Sequence, residues 1–250
     1  MAQAPKIEAV ERALRLLVAL ADAGPAGATL ANLASSIGAN KSTAYRALAT
    51  MRAEGFVAQS GTVGEYRLGA VSMSLGARFW APHNLASALH PALVALSRKS
   101  NELVHLGVLI DDRVLYLDKV EPDRAIRVWS EIGRLAPAAT TSLGRAILAA
   151  QGVTDAQLAA YLHQCSMSSE QLRDVIHATR AQGYALEIGE NEAGVACLGV
   201  AILRDGEPVA ALSITMQTER MTESRQHELV QIIRDVVPAL LPDQLTLPSQ

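Results

Sequence analysis

The sequence predicts an α+β protein of two unlike parts: an N-terminal winged helix-turn-helix, a linker helix, and a C-terminal domain in which helices flank an antiparallel sheet. Three observations carry this expectation. The first 68 residues show three stretches with helical spacing followed by two short strand signals. From Leu103 onward the apolar period changes from that of a helix to that of a strand. A chain of 250 residues also exceeds one typical domain. The expected ranges are 1–69 for the winged helix-turn-helix, 70–83 for the linker, 84–243 for the second domain and 244–250 for a loose tail.

The head is organised around Thr29 to Arg52. Leu30, Leu33, Ala34 and Ile37 lie on one side of a short helix, and Gly38 ends it, because glycine alone enters positive φ without steric cost. Asn40 is a good N-cap for a second helix whose apolar stripe is Ala44, Ala47, Leu48 and Met51. Its polar side offers Lys41, Ser42, Thr43, Tyr45, Arg46 and Thr50, with Arg52 near its end and Thr29 at the start of the preceding helix. Hydroxyls and cations on one exposed helix face are what reading a major groove and holding phosphates require. An ordinary surface helix remains the alternative from this stretch alone. Ile7, Val10, Ala13, Leu14, Leu17, Val18 and Leu20 predict a first helix that roofs the other two. Phe56–Gln59 and Glu65–Leu68, around a loop from Ser60 to Gly64, predict the wing, whose tip would lie beside the sugar-phosphate backbone.

Composition narrows the function. Half of the residues are hydrophobic, 19% are charged and 4% aromatic, as in an alanine-rich globular protein. No apolar run approaches ~18 residues and no signal peptide is recognisable, so a cytoplasmic protein with no membrane partner is expected. Cys165 and Cys197 are too few for a disulfide framework, and the six histidines form no paired-ligand spacing, so neither a metal nor another cofactor is expected. The net charge of −3 is unevenly spread. Residues 1–68 hold seven basic against five acidic side chains, whereas the remainder has a surplus of five acidic ones. Any phosphate-binding surface therefore belongs to the head, with a modest electrostatic term unless two heads act together.

Past the wing, Val71–Trp80 and Asn84–Lys99 read as helices. LVHLGVLI, RVLYLDKVE and RAIRVWS read as a three-stranded meander, and Gly133–Thr141 as a loop. Ser142–Ala150 and Thr154–His163 read as helices, and Ser168 caps a helix through Gln182 that Gly183 ends. Val195–Leu203 and Pro208–Met216 predict strands around Arg204-Asp205-Gly206, and Glu223–Leu241 predicts a closing helix. The sheet is expected to have five or six strands. It contains no G-x-S-x-G elbow, P-loop, GxGxxG or zinc motif, so an enzyme is not suggested.

NKSTAYRAL, EYRLG, LYLDKVE, TTSLGRAILA, GYALEIGENEAGVACLGVAI and AALSIT occur here in the order in which the IclR family of bacterial transcriptional regulators carries them, and on these motifs the chain resembles that family from about Ile7 to Leu240. The resemblance implies a GAF-like effector domain, double-stranded palindromic operator DNA as partner, homodimers paired through the heads, often homotetramers, and a small carboxylate effector such as a sugar acid or an aromatic acid. A repressor of catabolic genes is the expected role, with an activator left open. Carried over by position, the resemblance implies an effector pocket lined by Ser142, Leu143, Gly144, Glu187, Cys197, Ser213 and Thr215. Glu187 stands where Asp is also found in the family, and Thr215 where Ser is common.

The residue chemistry agrees. A helix start offers backbone N–H groups to an anion, and Ser213 and Thr215, two apart on a strand, face the same way. Blander readings stand beside it. Cys197 suits an apolar core, and Ser213 and Thr215 could face solvent on an edge strand. Glu187, Glu190 and Glu192 could be a solvated acidic loop. Arg127 and Trp129 read as core packing on a strand, and His105 as a satisfied core histidine. Two rival functions remain open: a small-acid hydrolase or isomerase using Cys197 or Ser142, and a C-terminal domain that only dimerises.

Overall fold

The computed structural model describes residues 6–60, 64–79, 85–124, 128, 130–163 and 165–248, and the chain divides into two compact units on either side of residues 81 and 82. Each is described by itself.

In the first unit, α1 (Glu8–Asp22), α2 (Leu30–Ser36) and α3 (Lys41–Ala53) are followed by the hairpin β1 (Val57–Ser60) and β2 (Glu65–Leu68), then by α4 (Ala70–Phe79). The Thr29 hydroxyl accepts the Asn32 N–H to start α2, and the Asn40 carboxamide accepts the Thr43 N–H at 2.8 Å to start α3. Between them Gly38 sits at φ +67°. Leu16, Leu20, Leu33, Ile37, Leu48, Met51, Val57 and Tyr66 form the core. Ala28 and Tyr66 exchange backbone hydrogen bonds at 2.9 Å, adding a bridge to the wing. The wing-tip residues 61–63 lie outside the described residues.

One expectation about α1 is corrected. Only Ala13, Leu16, Leu17, Ala19 and Leu20 pack into the core. Ile7, Val10, Leu14 and Val18, expected in the roof, are 69, 52, 57 and 61% exposed. Their spacing of three or four residues puts them on a second face of the same helix, so α1 is apolar on two sides.

The second unit begins with α5 (Leu85–Ser100) and contains a seven-stranded antiparallel sheet. Its strands are β3 (Leu103–Ile110), β4 (Arg113–Val120), β5 (Leu135–Pro137), β6 (Ala185–Ile188), β7 (Val195–Arg204), β8 (Glu207–Gln217) and β9 (Leu245–Thr246). The order is β5-β4-β3-β8-β7-β6, with β9 pairing the end of β7 that β6 leaves open. α6 (Ser142–Ala150) packs on one face together with α8 (Ser169–Gln182), while α5 and α9 (Glu223–Val236) cover the other. α7 (Asp155–Leu158) is one turn, continued as a 3-10 turn through Tyr161, and is shorter than the helix expected to reach His163.

Other differences have local causes. The third strand of the meander is β5, paired to Arg113–Leu115, inside the segment expected to be a loop. A strand of three residues shows no alternation to detect. The expected strand Arg124–Ser130 falls largely outside the described residues, and Arg124, Val128 and Ser130 are not in a strand. β6, four residues with Glu187 third, is likewise too short to show an alternation. α9 stops at Val236 because Pro238 has no N–H to continue it. The tail is not loose as far as it is described: Leu245 and Thr246 pair with Arg204 and Leu203, and Leu245 is buried. Ser168 and Gln171 form a capping box at the start of α8, and Gly183 closes it in the left-handed region, as the sequence predicts.

The close packing around α6 requires glycine twice, once against the sheet and once against the turn that precedes the helix. A Cβ on Gly199 of β7 would lie 2.6 Å from the Ser142 carbonyl oxygen, and one on Gly144 would lie 2.3 Å from that of Ala138. Gly199→Ala is therefore expected to lift α6 and cost about 1–3 kcal/mol, the range of an overpacked core. Urea unfolding with unchanged slope and a lower midpoint would register this; an unchanged midpoint would mean that the helix yields freely.

Candidate functional site

The head presents one polar surface along α3. Lys41, Ser42, Tyr45, Arg46, Thr50 and Arg52 are exposed and Thr43 is half-buried. Several of the expected contact residues are already occupied by local structure. Thr29 and Asn40 are the caps described above, and Asn40 also accepts from the Ser42 hydroxyl at 2.8 Å. The Thr50 hydroxyl donates to the Arg46 carbonyl at 3.1 Å, and Arg52 donates to the Gln59 side chain on β1. The side chains of Lys41, Tyr45 and Arg46 engage no partner among the described residues. The free chemistry of α3 is thus concentrated in two cations and a phenol near its N-terminal half. Beyond the wing, the Ser72 hydroxyl of α4 donates to the Phe56 carbonyl at 3.0 Å, tying the start of α4 to the turn that follows α3.

The second unit gathers a polar cluster on the α6 face of its sheet. Cross-strand pairing aligns Glu187 with Cys197 and Cys197 with Thr215; one step along, Gly199 pairs with Ser213 and Ser213 with His105. Directly paired residues share a face, as do residues two apart, so Glu187, Cys197, Ser213, Thr215 and His105 all point toward the side on which Ser142 sits against Gly199. Of the expected residues, the fold brings together Ser142, Glu187, Cys197, Ser213 and Thr215. Leu143 instead directs its side chain into the apolar core near Gly107. Gly144 is pressed against Ala138, and its N–H is taken by the Thr141 hydroxyl at 3.1 Å. That hydroxyl occupies one donor of the α6 start.

The polar groups of this floor form a connected set. The Thr215 hydroxyl lies 3.3 Å from Cys197 Sγ and 3.2 Å from His105 Nδ1, and His105 Nε2 lies 2.9 Å from the Ser130 hydroxyl. The Glu187 carboxylate accepts from the N–H groups of Glu190 and Asn191 at 2.7 and 3.0 Å. Burial pushes its pKa up and the Glu190 charge does likewise, against the pull of those two N–H donors. Burial also pushes the Cys197 thiol up, reinforced by the Glu187 charge, which leaves it a protonated wall and a poor nucleophile. His105 is held down to about 3 by burial and by the positive charges of Lys119 and Arg134, so it is neutral at physiological pH. Tyr116 meets it edge-on, with ring centroids 5.0 Å apart.

Two buried ionic groups brace the cluster without a signal in sequence periodicity. Arg145 donates to the carbonyls of Ala139 and Leu186 at 2.8 and 2.7 Å and pairs with Glu190 at 2.9 Å, locking the α6 start to β6 and its following turn. Buried Glu102, just before β3, pairs with Arg220, Arg225 and Arg124 and joins that strand to the start of α9. Lys119 donates to the Ser130 carbonyl at 2.6 Å, holding that residue over His105. The glutamate run was legible; the Arg145 partner of Glu190, 45 residues away, was not, nor was the pairing of Glu102 with Arg220, 118 residues away. Arg127 and Trp129, read as core packing, lie outside the described residues. Among the described residues no group of His, Cys, Asp and Glu could hold a metal ion, and no helix is long and apolar enough to cross a membrane.

The neutral His105 predicts a pH signature. Below the ordinary histidine value of about 6.5 the unfolded chain takes up a proton that the folded chain refuses until about pH 3, so stability falls as pH drops through that window, by up to about 1.4 kcal/mol per unit. Denaturant unfolding of His105→Gln against the wild type should show the difference between them narrowing, or reversing, as pH falls from about 6.5. Parallel curves would contradict burial of a neutral imidazole.

Comparison with known proteins agrees with both units. Residues 9–61 match the IclR helix-turn-helix domain, and residues 79–240 match the bacterial transcriptional regulator IclR C-terminal domain. The regulator KdgR of Escherichia coli is 31% identical over 92% of this chain and 90% of its own length. The acetate operon repressor of Salmonella typhimurium is 33% identical over 90% and 85% respectively. An IclR homologue from Microbacterium hydrocarbonoxydans, solved in complex with 4-hydroxybenzoate, superposes with a TM-score of 0.76 at 21% identity over 93% of this chain and 98% of that one, and shares the fold. A winged head with an exposed cationic α3 and a sheet domain matching the family model over 162 residues make this chain a DNA-binding transcriptional regulator of the IclR family and not an enzyme.

Proposed function

We propose that the chain is a repressor of catabolic genes that binds a palindromic operator as a homodimer and responds to a small carboxylate, a sugar acid or an aromatic acid. The observation that carries the ligand reading is the convergence of Ser142, Glu187, Cys197, Ser213 and Thr215 on one buried face beside the start of α6. Hydroxyls and a thiol supply donors in a low-dielectric setting, where each hydrogen bond counts for more. The Glu187 carboxyl, its pKa raised chiefly by burial, closes the β6 end of this floor. The relative solved with 4-hydroxybenzoate is an example of an aromatic acid bound by this fold. Operator contact is assigned to Lys41, Tyr45 and Arg46 first, with Thr29, Asn40, Ser42, Thr43, Thr50 and Arg52 shaping or flanking the surface.

Pairing of two heads is supported by the exposed stripe Ile7, Val10, Leu14 and Val18 on α1, since an isolated protomer would leave it in water. A palindrome engaged at both halves makes binding steeply dependent on head spacing. The tie between Ser72 and Phe56 couples the start of α4 to the turn after α3. A DNA-binding protein of this kind acts in the cytoplasm, and assembly of two dimers into a tetramer is part of the same proposal.

A thermal-shift screen against gluconate, pyruvate and 4-hydroxybenzoate tests the effector, because a ligand that binds only the folded state raises its melting temperature. Ser213→Ala with Thr215→Ala should abolish the shift and the ligand-dependent release seen by gel shift, while operator binding persists. Arg46→Ala should weaken specific operator binding by at least about tenfold, the scale of one lost base or phosphate contact, with the ligand shift intact. Loss of both activities in either well-folded variant would refute the division of labour. Leu14→Glu with Val18→Glu should separate the heads and lower operator affinity, read by analytical ultracentrifugation together with gel shift; full-strength binding by that variant would move the pairing surface elsewhere.

A further inference from the structure

The hydrogen-bonded floor extends past the residues that the family pattern assigns. From Glu187 on β6 it runs to Cys197 on β7, Thr215 on β8, His105 on β3 and Ser130 in the segment after β4, each side chain coming from a different element. We propose that His105 is a positioning residue of the effector site: clamped between the Ser130 and Thr215 hydroxyls, its ring lets Thr215 offer either a proton or a lone pair, as the guest requires. This rests on the effector reading above.

A neutral imidazole has one N–H and one bare nitrogen, and both are engaged here. With the proton on Nδ1, the ring donates to Thr215 Oγ and accepts from Ser130. The Thr215 hydrogen is then released toward Cys197 and the guest. With the proton on Nε2, the ring donates to Ser130 and accepts from Thr215, whose remaining lone pairs face outward. Both arrangements satisfy the same two hydrogen bonds without moving the ring, so the choice between them is set by what the guest demands. A carboxylate or keto oxygen over Thr215 demands a donor and selects the Nδ1–H form. A doubly protonated ring would lock Thr215 as a donor, and the charged groups facing the ring, Lys119 and Arg134, oppose that state, with Tyr116 packed against its edge. Lys119 also fixes Ser130 through its carbonyl, so the far end of the clamp is rigid.

The test uses the full-length protein with 15N-labelled histidine. Long-range NMR correlations should give His105 one protonated and one bare nitrogen at neutral pH, and Thr215→Val should change their pattern. Any of gluconate, pyruvate or 4-hydroxybenzoate that raises the wild-type melting temperature, but not that of the Ser213→Ala with Thr215→Ala variant, should move the ring proton to Nδ1 on binding. Its affinity should fall about tenfold in His105→Leu, one hydrogen-bond partner lost in a buried site, and recover in His105→Gln, which keeps a donor and an acceptor. Should the Leu variant not fold, the Gln variant and the ring nitrogens carry the test. Wild-type affinity in a folded His105→Leu, a doubly protonated ring at neutral pH, or ring nitrogens indifferent to Thr215→Val would overturn the assignment while leaving the effector reading standing. Silence of all three probes on the wild type would count against that reading and remove this one with it.

Discussion

The close packing of α6 on the sheet at Gly199 is the contact on which the second unit depends. Because β7 has no side chain there, the first residue of α6 descends onto the strand, and Ser142 arrives beside Ser213, the direct partner of Gly199. One step along the same ladder stand Glu187, Cys197 and Thr215. A larger residue at 199 would hold the helix off, and the polar row would face a water-filled gap instead of an enclosed floor. The cost of burying that row is met by mutual hydrogen bonds, and Arg145 and Glu102 hold the surrounding segments in register.

The head works under a different constraint. It is small, and its core of Leu, Ile, Met, Val and Tyr side chains is closed by caps at Thr29 and Asn40 and by the bridge between Ala28 and Tyr66. Those caps use side chains that would otherwise read as DNA contacts. A residue that fixes a helix start cannot at the same time give all its hydrogen bonds to a phosphate, which is why Lys41, Tyr45 and Arg46 are the stronger candidates for the contact itself. The second apolar face of α1 has the opposite character: Ile7, Val10, Leu14 and Val18 lie exposed, outside the core of their own unit.

The polar floor also explains why this domain is not built for chemistry. A buried thiol with a raised pKa and a neutral, doubly engaged histidine are poor at attack and proton abstraction. They are well suited to presenting donors and acceptors to a guest that leaves unchanged, and family membership agrees.

Much was legible in the order of residues. Three helices and a wing, the Gly38 turn, the Ser168 and Gly183 boundaries, the β7–β8 hairpin around Arg204-Asp205-Gly206 and the shared face of Ser213 and Thr215 are local properties, written in periods of 3.6 and 2 and in the φ preferences of glycine. The tertiary structure alone decided which of two apolar faces of α1 is core, that residues 135–137, 185–188 and 245–246 become strands, and that Leu143 turns to the core while His105 joins the polar row. The reason is range. Short strands exist only by pairing with distant partners, and the role of a buried polar side chain is set by groups that the chain brings to it from up to 123 residues away.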